Sequence, residues 1–439
     1  MSMGENLEET LQVYRQRTKK SEAMHERALK VFPGGVNHYI RSYEPYPIYI
    51  RRGKGSRVWD VDGNEYIDLW MLHLGAILGH SHPAVVKALR DQIDGSLHHG
   101  FVNEKAIELA EQICSLVPCA ERVKLGCSGT EANQYVLRLA RAYTGKKTIL
   151  KAEGGWHGGS DALQKGVSYP FDVKESLGIQ EEAQRYTRTI PFNDTESTLD
   201  MIKDHGKDLA GVILEPMLGG GGCIPATRDY LKAVREGVME QSSLLIFDEV
   251  ITGFKFAGCA QGYYGVIPDL ATLGKTLGGG LPIGAVVGER EIMELADGRV
   301  WMGGGTFSGN VSTMTTGLAT LKYLKEHHLY DKMEEMGAKI REGIDKIFRE
   351  HDTITTTTGI GPFLLTHFPS DDVPIMSARD ANEKADPKKK FEYHLRLIKH
   401  GILFLPGHGG MVSAVHSDKD IDKILEATGE VAKEMAHGD

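Results

Sequence analysis

The sequence predicts an α/β fold, with a mostly parallel central sheet flanked by helices in a large domain and a smaller α/β domain at the C-terminal end. Three observations lead there. Short runs rich in Val, Ile and Leu recur at 148–153, 210–216, 244–250, 269–275 and 283–288, as strands buried on both faces of a parallel sheet require. Stretches with helical apolar spacing, such as KAIELAEQICSLV at 105–117, separate the strand-like runs. Glycines cluster beside the runs, at 219–222, 278–280 and 303–305, and clustered glycine lets backbone approach a ligand closely.

Each element follows in order. Residues 5–31 are polar and helix-prone up to Pro33-Gly34-Gly35, which stops a helix. PIYIRRGKGSRVWDVDGNEYIDL alternates apolar and polar residues around Asp62-Gly63 and reads as a β-meander with a hairpin turn. RVKLGC at 122–127 is a short strand, and SGTEANQYVLRLARAY opens a helix. The strand-like runs listed above follow, then a helical region at 310–350. TITTTTG, PFLLTHF, a charged helix at 379–400, ILFLP, MVSAVH and a last helix from about 418 make the smaller unit, and 370–390 is the most loop-like stretch. The expected division is 1–60 (N-terminal helix and meander, packing near the small domain), 61–325 (large domain) and 326–439 (small domain).

Bulk properties exclude several classes. At 439 residues the chain can bury a large core with a satellite domain. A formal net charge of −9 without a basic block disfavours nucleic acid and anionic membrane as partners. The five cysteines, Cys114, Cys119, Cys127, Cys223 and Cys259, are odd in number and fit no zinc spacing. No metal site is expected, and free thiols suit a reducing compartment. The polar, acidic MSMGENLEET start is unlike a signal peptide, and no apolar run approaches ~20 residues. A cytoplasmic location is expected.

Two motifs compete for attention. ATLGKTLGGG at 271–280, with LLIFDE upstream at 244–249, resembles the halves of a phosphate-binding nucleotide site. A P-loop needs G-x-x-x-x-G-K-[ST]. Here the first glycine position holds Asp269, whose charge is wrong for a phosphate cradle. The GKT ends a strand and is followed by GGGLPIG, which starts a helix badly. A nucleotide-binding protein is therefore only a remote alternative, and no GxGxxG in strand–turn–helix context supports a dinucleotide fold.

A second set of residues uses the same segments. Ser128, Gly129 and Thr130 follow a strand and open a helix, where they serve either as a plain cap or as a phosphate anchor. Trp156 and His157 sit in a glycine-rich turn after a strand, as turn residues or as an aromatic stacker with its neighbour. Asp248 ends an apolar strand, where a carboxylate is costly unless paired. Lys275 is either a loop lysine or a desolvated amine able to form a Schiff base. Phosphate anchor, stacker, carboxylate and lysine occur in that order, each at a strand end. Phosphate, ring nitrogen and aldehyde are the three handles of pyridoxal phosphate.

From about Pro33 to the C-terminus the chain resembles the class III aminotransferases of pyridoxal-phosphate (PLP) fold type I. The subgroup is that of glutamate-1-semialdehyde aminomutase and β-amino-acid aminotransferases. The resemblance is carried by PGGVNHYIRSYEP, VWDVDGNEYIDL, GHSHP, SGTEA, EGGWHGG, LEP, DEVITGF, PDLATLGKTLGGGLPIGA and GGTFSGN. It implies that Lys275 is the catalytic, cofactor-bearing lysine and that Asp248 pairs with the pyridine nitrogen. Val250 would pack on the ring, and Ser128, Gly129 and Thr130 would hold the phosphate. Trp156 would stack on the ring with His157 beside it, and Glu215 would join the polar network below. Thr306 would reach the phosphate of a partner subunit, which implies a homodimer with shared sites. Arg41 would bind a substrate carboxylate, a task suited to a bidentate guanidinium. His408 is a candidate substrate contact, and MLHLGAILGH at 71–80 is expected to line the pocket.

The activity implied is amino transfer between an amino acid, with β- or other non-standard amino acids included, and a keto acid in two half-reactions. Aminomutase or epimerase/racemase chemistry on the same fold is the alternative. The aminomutase's Pro-Ser-aromatic-Glu-Ala-Gly stretch corresponds here to LPGHGGMVSAVH at 405–416, without the glutamate and without an arginine for a second carboxylate.

Overall fold

The computed structural model describes residues 5–303 and 305–436. The Met1–Gly4 part of the leading segment and Gly304 of the third glycine cluster lie outside the described residues.

Seven strands form the central sheet. Their spatial order is Arg122–Gly126, Gly284–Gly288, Leu270–Gly274, Leu244–Glu249, Leu209–Leu214, Thr148–Ala152 and Thr187–Ile190. Gly284–Gly288 runs antiparallel to both neighbours, and the other pairings are parallel. Alternate residues of a strand feed two separate cores. Leu245 and Phe247 join one cluster, whereas Leu244 and Ile246 join the other. Burial on both faces explains why these strands read as continuous apolar runs. Each such Leu, Ile or Phe contributes about 1.5–3 kcal/mol by leaving water.

Three glycines lie in register across the strand ends: Gly126 opposite Gly284, and Gly284 opposite Gly274. A Cβ at Gly284 would lie 2.0 Å from Ser128 O, so the loop after the first strand closes directly over bare backbone.

The meander forms as Ile50–Lys54, Arg57–Asp60 and Glu65–Asp68, all antiparallel, with Gly63 at φ 100° in the turn. Its last strand lies beyond residue 60 and pairs in parallel with Ile402–Leu403. The helix Glu5–Arg17 packs on Pro387–Lys399, where Arg17 Nη1 donates to Lys399 O at 2.5 Å. The N-terminal helix therefore lies against the C-terminal region. A three-stranded antiparallel sheet, Thr356–Thr358, Phe363–His367 and Gly410–Met411, carries the rest of the C-terminal region.

Several expectations needed correction. Thr187–Ile190 is a sheet strand that only four residues announce. The helix expected at 379–400 is two helices, Ala378–Glu383 and Pro387–Lys399, because Pro387 starts a new one behind the N-cap Asp386. Of MVSAVH only Met411 pairs in a strand; Ser413 N and Oγ both bond His416 Nδ1 and curl the chain. Among the described residues no helix is long and apolar enough to cross a membrane, and no cluster could hold a metal ion.

Candidate active site

The helix Gly129–Thr144 starts where the first strand ends. Ser128 is its N-cap, accepting from Glu131 N at 3.2 Å. The first-turn N–H groups of Gly129 and Thr130 have no acceptor inside the helix. They present a positive helix end to the strand-end cleft, as an anion requires. Thr130 Oγ1 accepts from Gly159 N at 3.2 Å, which ties the Trp156–Gly159 turn to this end. Gly158 makes the contact possible: at φ 85°, a Cβ there would lie 2.3 Å from Thr130 Oγ1.

Asp248 ends the fourth strand in spatial order and is buried. Its Oδ2 accepts from His157 Nδ1 at 2.8 Å and from Asn133 Nδ2 at 2.7 Å. Its Oδ1 accepts from Val250 N at 3.1 Å, with Thr272 Oγ1 at 3.3 Å. The single Thr272 proton goes to the nearer Asn133 Oδ1, at 2.8 Å. Oδ1 is thus left with one firm donor and capacity for another, such as a protonated ring nitrogen. Burial pushes the Asp248 carboxyl up, but the bonds from His157, Val250 N and Asn133 overcome this and hold it below the ordinary carboxylate value.

His157 lies next to Trp156 in the turn and bonds Asp248. It is buried under the site, and burial keeps it below the usual imidazole value against the pull of Asp248. Nδ1 carries the hydrogen, since the carboxylate only accepts, and Nε2 is buried without a partner. Trp156 is 40% exposed, with its ring free to cover a ligand. Val250 is half-buried and packs on the bare faces of Gly129 and Gly274.

Glu215 is also buried, accepting from Trp156 N at 2.9 Å and Gly219 N at 3.1 Å. Burial and the Asp248 charge raise it to about 8, against those two N–H donors. Lys275 follows the strand Leu270–Gly274 at φ 46°. Burial lowers its pKa, while Asp248 and Glu215 pull the other way. Two carboxyls and one amine therefore interact across the strand ends.

Lys275 is also on the wall of a cavity of about 550 Å³. Arg41, Trp70, Leu72, His73, Phe404 and Leu405 are among the other lining residues. Arg41 ends the short helical turn Tyr39–Arg41, is exposed, and bonds Asn37 Oδ1 at 2.7 Å. The expectation for 71–80 is met on one side, since Leu72, His73, Gly75 and His80 line the cavity. His408 does not line it. It lies behind Trp70, ring centres 6.1 Å apart, and burial with nearby Lys390 lowers it to about 4. Thr306 is exposed, away from these charges, with its carbonyl bonded to His98 Nε2 at 2.9 Å.

The wall itself has an unusual backbone. Met71, Leu72, His73 and Leu74 stand at φ 44°, 54°, 60° and 62°. Four consecutive left-handed non-glycine residues cost about 1–2 kcal/mol each. Asp68 fixes the entry: Oδ1 accepts from Trp70 N at 2.8 Å and Met71 N at 3.0 Å, and Oδ2 pairs with His80 Nε2 at 2.6 Å. Leu74 N and Gly75 N close the turn on Trp70 O and Met71 O, each at 2.9 Å. The strain presents Leu72 and His73 to the cavity. Burial, then Lys275, lowers His73 to about 3, so it is a neutral imidazole at neutral pH.

Sequence reasoning missed Asn133, Thr272 and Asp68. Asn133 alone left a signal, as a buried amide within the apolar helix face of Ala132, Val136, Leu137 and Ala140.

The donor set fits pyridoxal phosphate: free N–H groups for an anion, a carboxylate for a ring nitrogen, an exposed indole for a ring face and an amine for an aldehyde. The family description Aminotransferase class-III matches residues 38–428. The chain is similar to a glutamate-1-semialdehyde 2,1-aminomutase of Methanosarcina acetivorans, 39% identical over 93% of this chain and 97% of that protein. Its fold is similar to an omega-transaminase from Sphaerobacter thermophilus, with a TM-score of 0.91, 30% identity and coverage of 97% and 100% of the two chains. A transaminase structure with PLP bound matches with a TM-score of 0.87, 28% identity and coverage of 96% and 99%. The chain belongs to the class III aminotransferases, pyridoxal-phosphate-dependent enzymes of fold type I.

Proposed function

We propose that this enzyme moves an amino group within one small amino-carboxylic acid, as an aminomutase does. The observation that carries this reading is the cavity's cation content. Among the described residues that line it, Arg41 is the single guanidinium. One bidentate grip suits a substrate with one carboxylate that stays bound through both halves of the reaction. The name of the Methanosarcina relative supports the same reading.

When bound, pyridoxal phosphate supplies a carbonyl that condenses with amines and a ring that takes up electrons. The protein does the rest. Gly129 and Thr130 N–H groups would hold the phosphate with Ser128, and Trp156 and Val250 would pack on the ring. Asp248 would keep the ring nitrogen protonated, steadied by His157 and Asn133. Lys275, whose pKa burial lowers against the pull of Asp248 and Glu215, would attach the cofactor. Its amine would carry a proton to and from the substrate's amine-bearing carbon. Arg41 holds the carboxylate, and the apolar wall excludes water.

A second reading, amino transfer to a separate keto acid, is favoured by the largely apolar lining of Ile48, Ile50, Leu72, Leu281, Leu403 and Phe404. The missing glutamate at 405–416 points the same way. Two copies are proposed to share sites through one apolar patch. Phe101, Val102, Trp301 and Phe307 are 84%, 100%, 76% and 63% exposed. The His98–Phe307 ring contact and the bond from Asn103 Nδ2 to Gly309 O join their loops. The five unpaired cysteines support a reducing cytoplasm.

The test is a visible spectrum, followed by turnover with and without an acceptor. The purified protein is expected to carry a yellow band that borohydride bleaches, altered in Lys275→Ala. Conversion of glutamate-1-semialdehyde without a keto acid supports the aminomutase. Conversion that begins only when a keto acid is added overturns it in favour of the second reading.

A further inference from the structure

One buried amine has no part in the chemistry above. Lys255 is 1% exposed, in the turn that follows the Asp248 strand. Its Nζ donates to Ile251 O at 3.1 Å and to Thr276 Oγ1 at 2.5 Å. Thr276 passes its own proton to Gly75 O at 3.0 Å. A single line of hydrogen bonds therefore joins the turn after Glu249, the residue next to Lys275, and the end of the left-handed turn. Both acceptors of Lys255 are neutral, which leaves a charged amine one donor short of partners and an uncharged amine with both hydrogens placed. Buried lysines without a carboxylate partner are costly to keep charged.

The backbone around it needs holding. Lys275 is itself left-handed at φ 46°, a conformation that persists in non-glycine residues only when the surroundings determine it. Gly75 lies against it, since a Cβ there would be 3.4 Å from Lys275 Cβ. Thr276 bonds the two flanking elements at once, and Lys255 supplies one of those bonds. The charged and titratable groups facing Lys275 are Asp248 and Glu215 on the cofactor side, His73 and His38 on the cavity side, and Lys255 behind. Among the titratable groups of the described residues, Lys255 faces Lys275 and the Cys259 thiol.

We propose that Lys255 is a positioning residue for the reactive lysine: through Thr276 it fixes the Lys275 backbone, and as a second cation it opposes protonation at Lys275. The two carboxyls favour a charged Lys275; Lys255 is the counterweight on the other side. Burial, with Lys275 as a like charge, lowers Lys255 to about 7, so this counterweight strengthens as the pH falls through neutrality. The inference rests on Lys275 as the cofactor lysine.

The test compares wild type, Lys255→Met, Thr276→Val, Thr276→Ser and the Met/Val double variant. Two quantities are read: the pH midpoint of the visible band in cofactor-loaded protein, and the rate at which cofactor-free protein recaptures pyridoxal phosphate. Lys255→Met removes the charge and both donors at similar length, and is expected to raise the midpoint by about half a pH unit or more. Lys255→Met and Thr276→Val are each expected to slow recapture several-fold, and the double variant no further, since both break one line of bonds. Thr276→Ser keeps the hydroxyl and is expected to match wild type, which preserves the test if Lys255→Met does not fold. An unmoved midpoint in Lys255→Met, recapture losses that add in the double variant, or a change in thermal stability alone overturns the proposal. A wild-type protein without any band would instead sink the assignment of Lys275.

Discussion

The two sides of Lys275 are built on opposite principles. On the cofactor side, Asp248, Asn133 and Thr272 sit on regular strands and a helix, with His157 on the turn beside them, all buried and with a donor for each acceptor but one. On the substrate side, the wall is a strained left-handed turn, half-exposed at Leu72 and lined by apolar groups and the neutral imidazole of His73. The first arrangement holds one charge in one place through saturated bonding. The second exposes different side chains on a rigid but costly backbone. Fixed chemistry sits on the unstrained scaffold, and selectivity sits on the strained one.

Breaking the cofactor side has the largest expected effect. Asp248→Asn keeps the shape but loses the charge and forces His157 to change its proton arrangement. Activity is expected to fall by about 10²–10⁴-fold. Thermal unfolding against pH gives a second readout. The folded-state pKa of Asp248 is depressed, so its stabilising contribution is complete above the unfolded value of about 3.9 and is lost as pH falls through the folded value. The variant is therefore expected to show a shallower loss of stability below about pH 4. An unchanged acid limb would mean the carboxylate is not held in its charged form.

Arg41 tests the substrate side at an intermediate scale. Arg41→Ala is expected to raise KM about 10–100-fold with kcat changed little. Its melting temperature is expected to stay constant, because the side chain is exposed and bonds only Asn37. Arg41→Lys keeps the charge without the fork and is expected to fall between. A drop in kcat without a rise in KM would remove Arg41 from the carboxylate site.

The smallest effect sharpens the contrast most. Leu72→Gly relieves one left-handed residue whose side chain is 49% exposed, and is expected to stabilise the protein by up to about 1 kcal/mol in urea unfolding. The same change leaves a gap in the wall and is expected to weaken substrate selection. Lower stability would show that the wall is held by Leu72's contacts and not merely strained by its backbone.

This division explains what could be read from the sequence. Asp248 and Lys275 stand at the ends of apolar runs, and Ser128 opens a helix after a strand; strand ends are where ligands gather in such sheets. The left-handed turn was not legible, because MLHL contains none of the residues that normally announce a positive φ. The Asp248 network was only half legible, because Thr272 and Asn133 are brought together from 139 positions apart. His408 sits in a glycine-flanked loop that suggested a pocket, and the fold sets its ring beside Trp70, off the cavity lining. Lys255 carries no mark in the sequence, since burial of a charge leaves no trace in spacing.

The glycine row Gly126–Gly284–Gly274 acts as a ruler. Ser128 and Lys275 follow strands separated by one other strand, and the Ser128 loop folds over that middle strand at Gly284. Amide hydrogen bonds set the spacing of these strands, about 4.8 Å each, and no side chain contributes to it. Substitutions elsewhere can rework the cavity while this gauge stays constant. The chain can then drift toward new substrates without recalibrating the machinery that holds the cofactor.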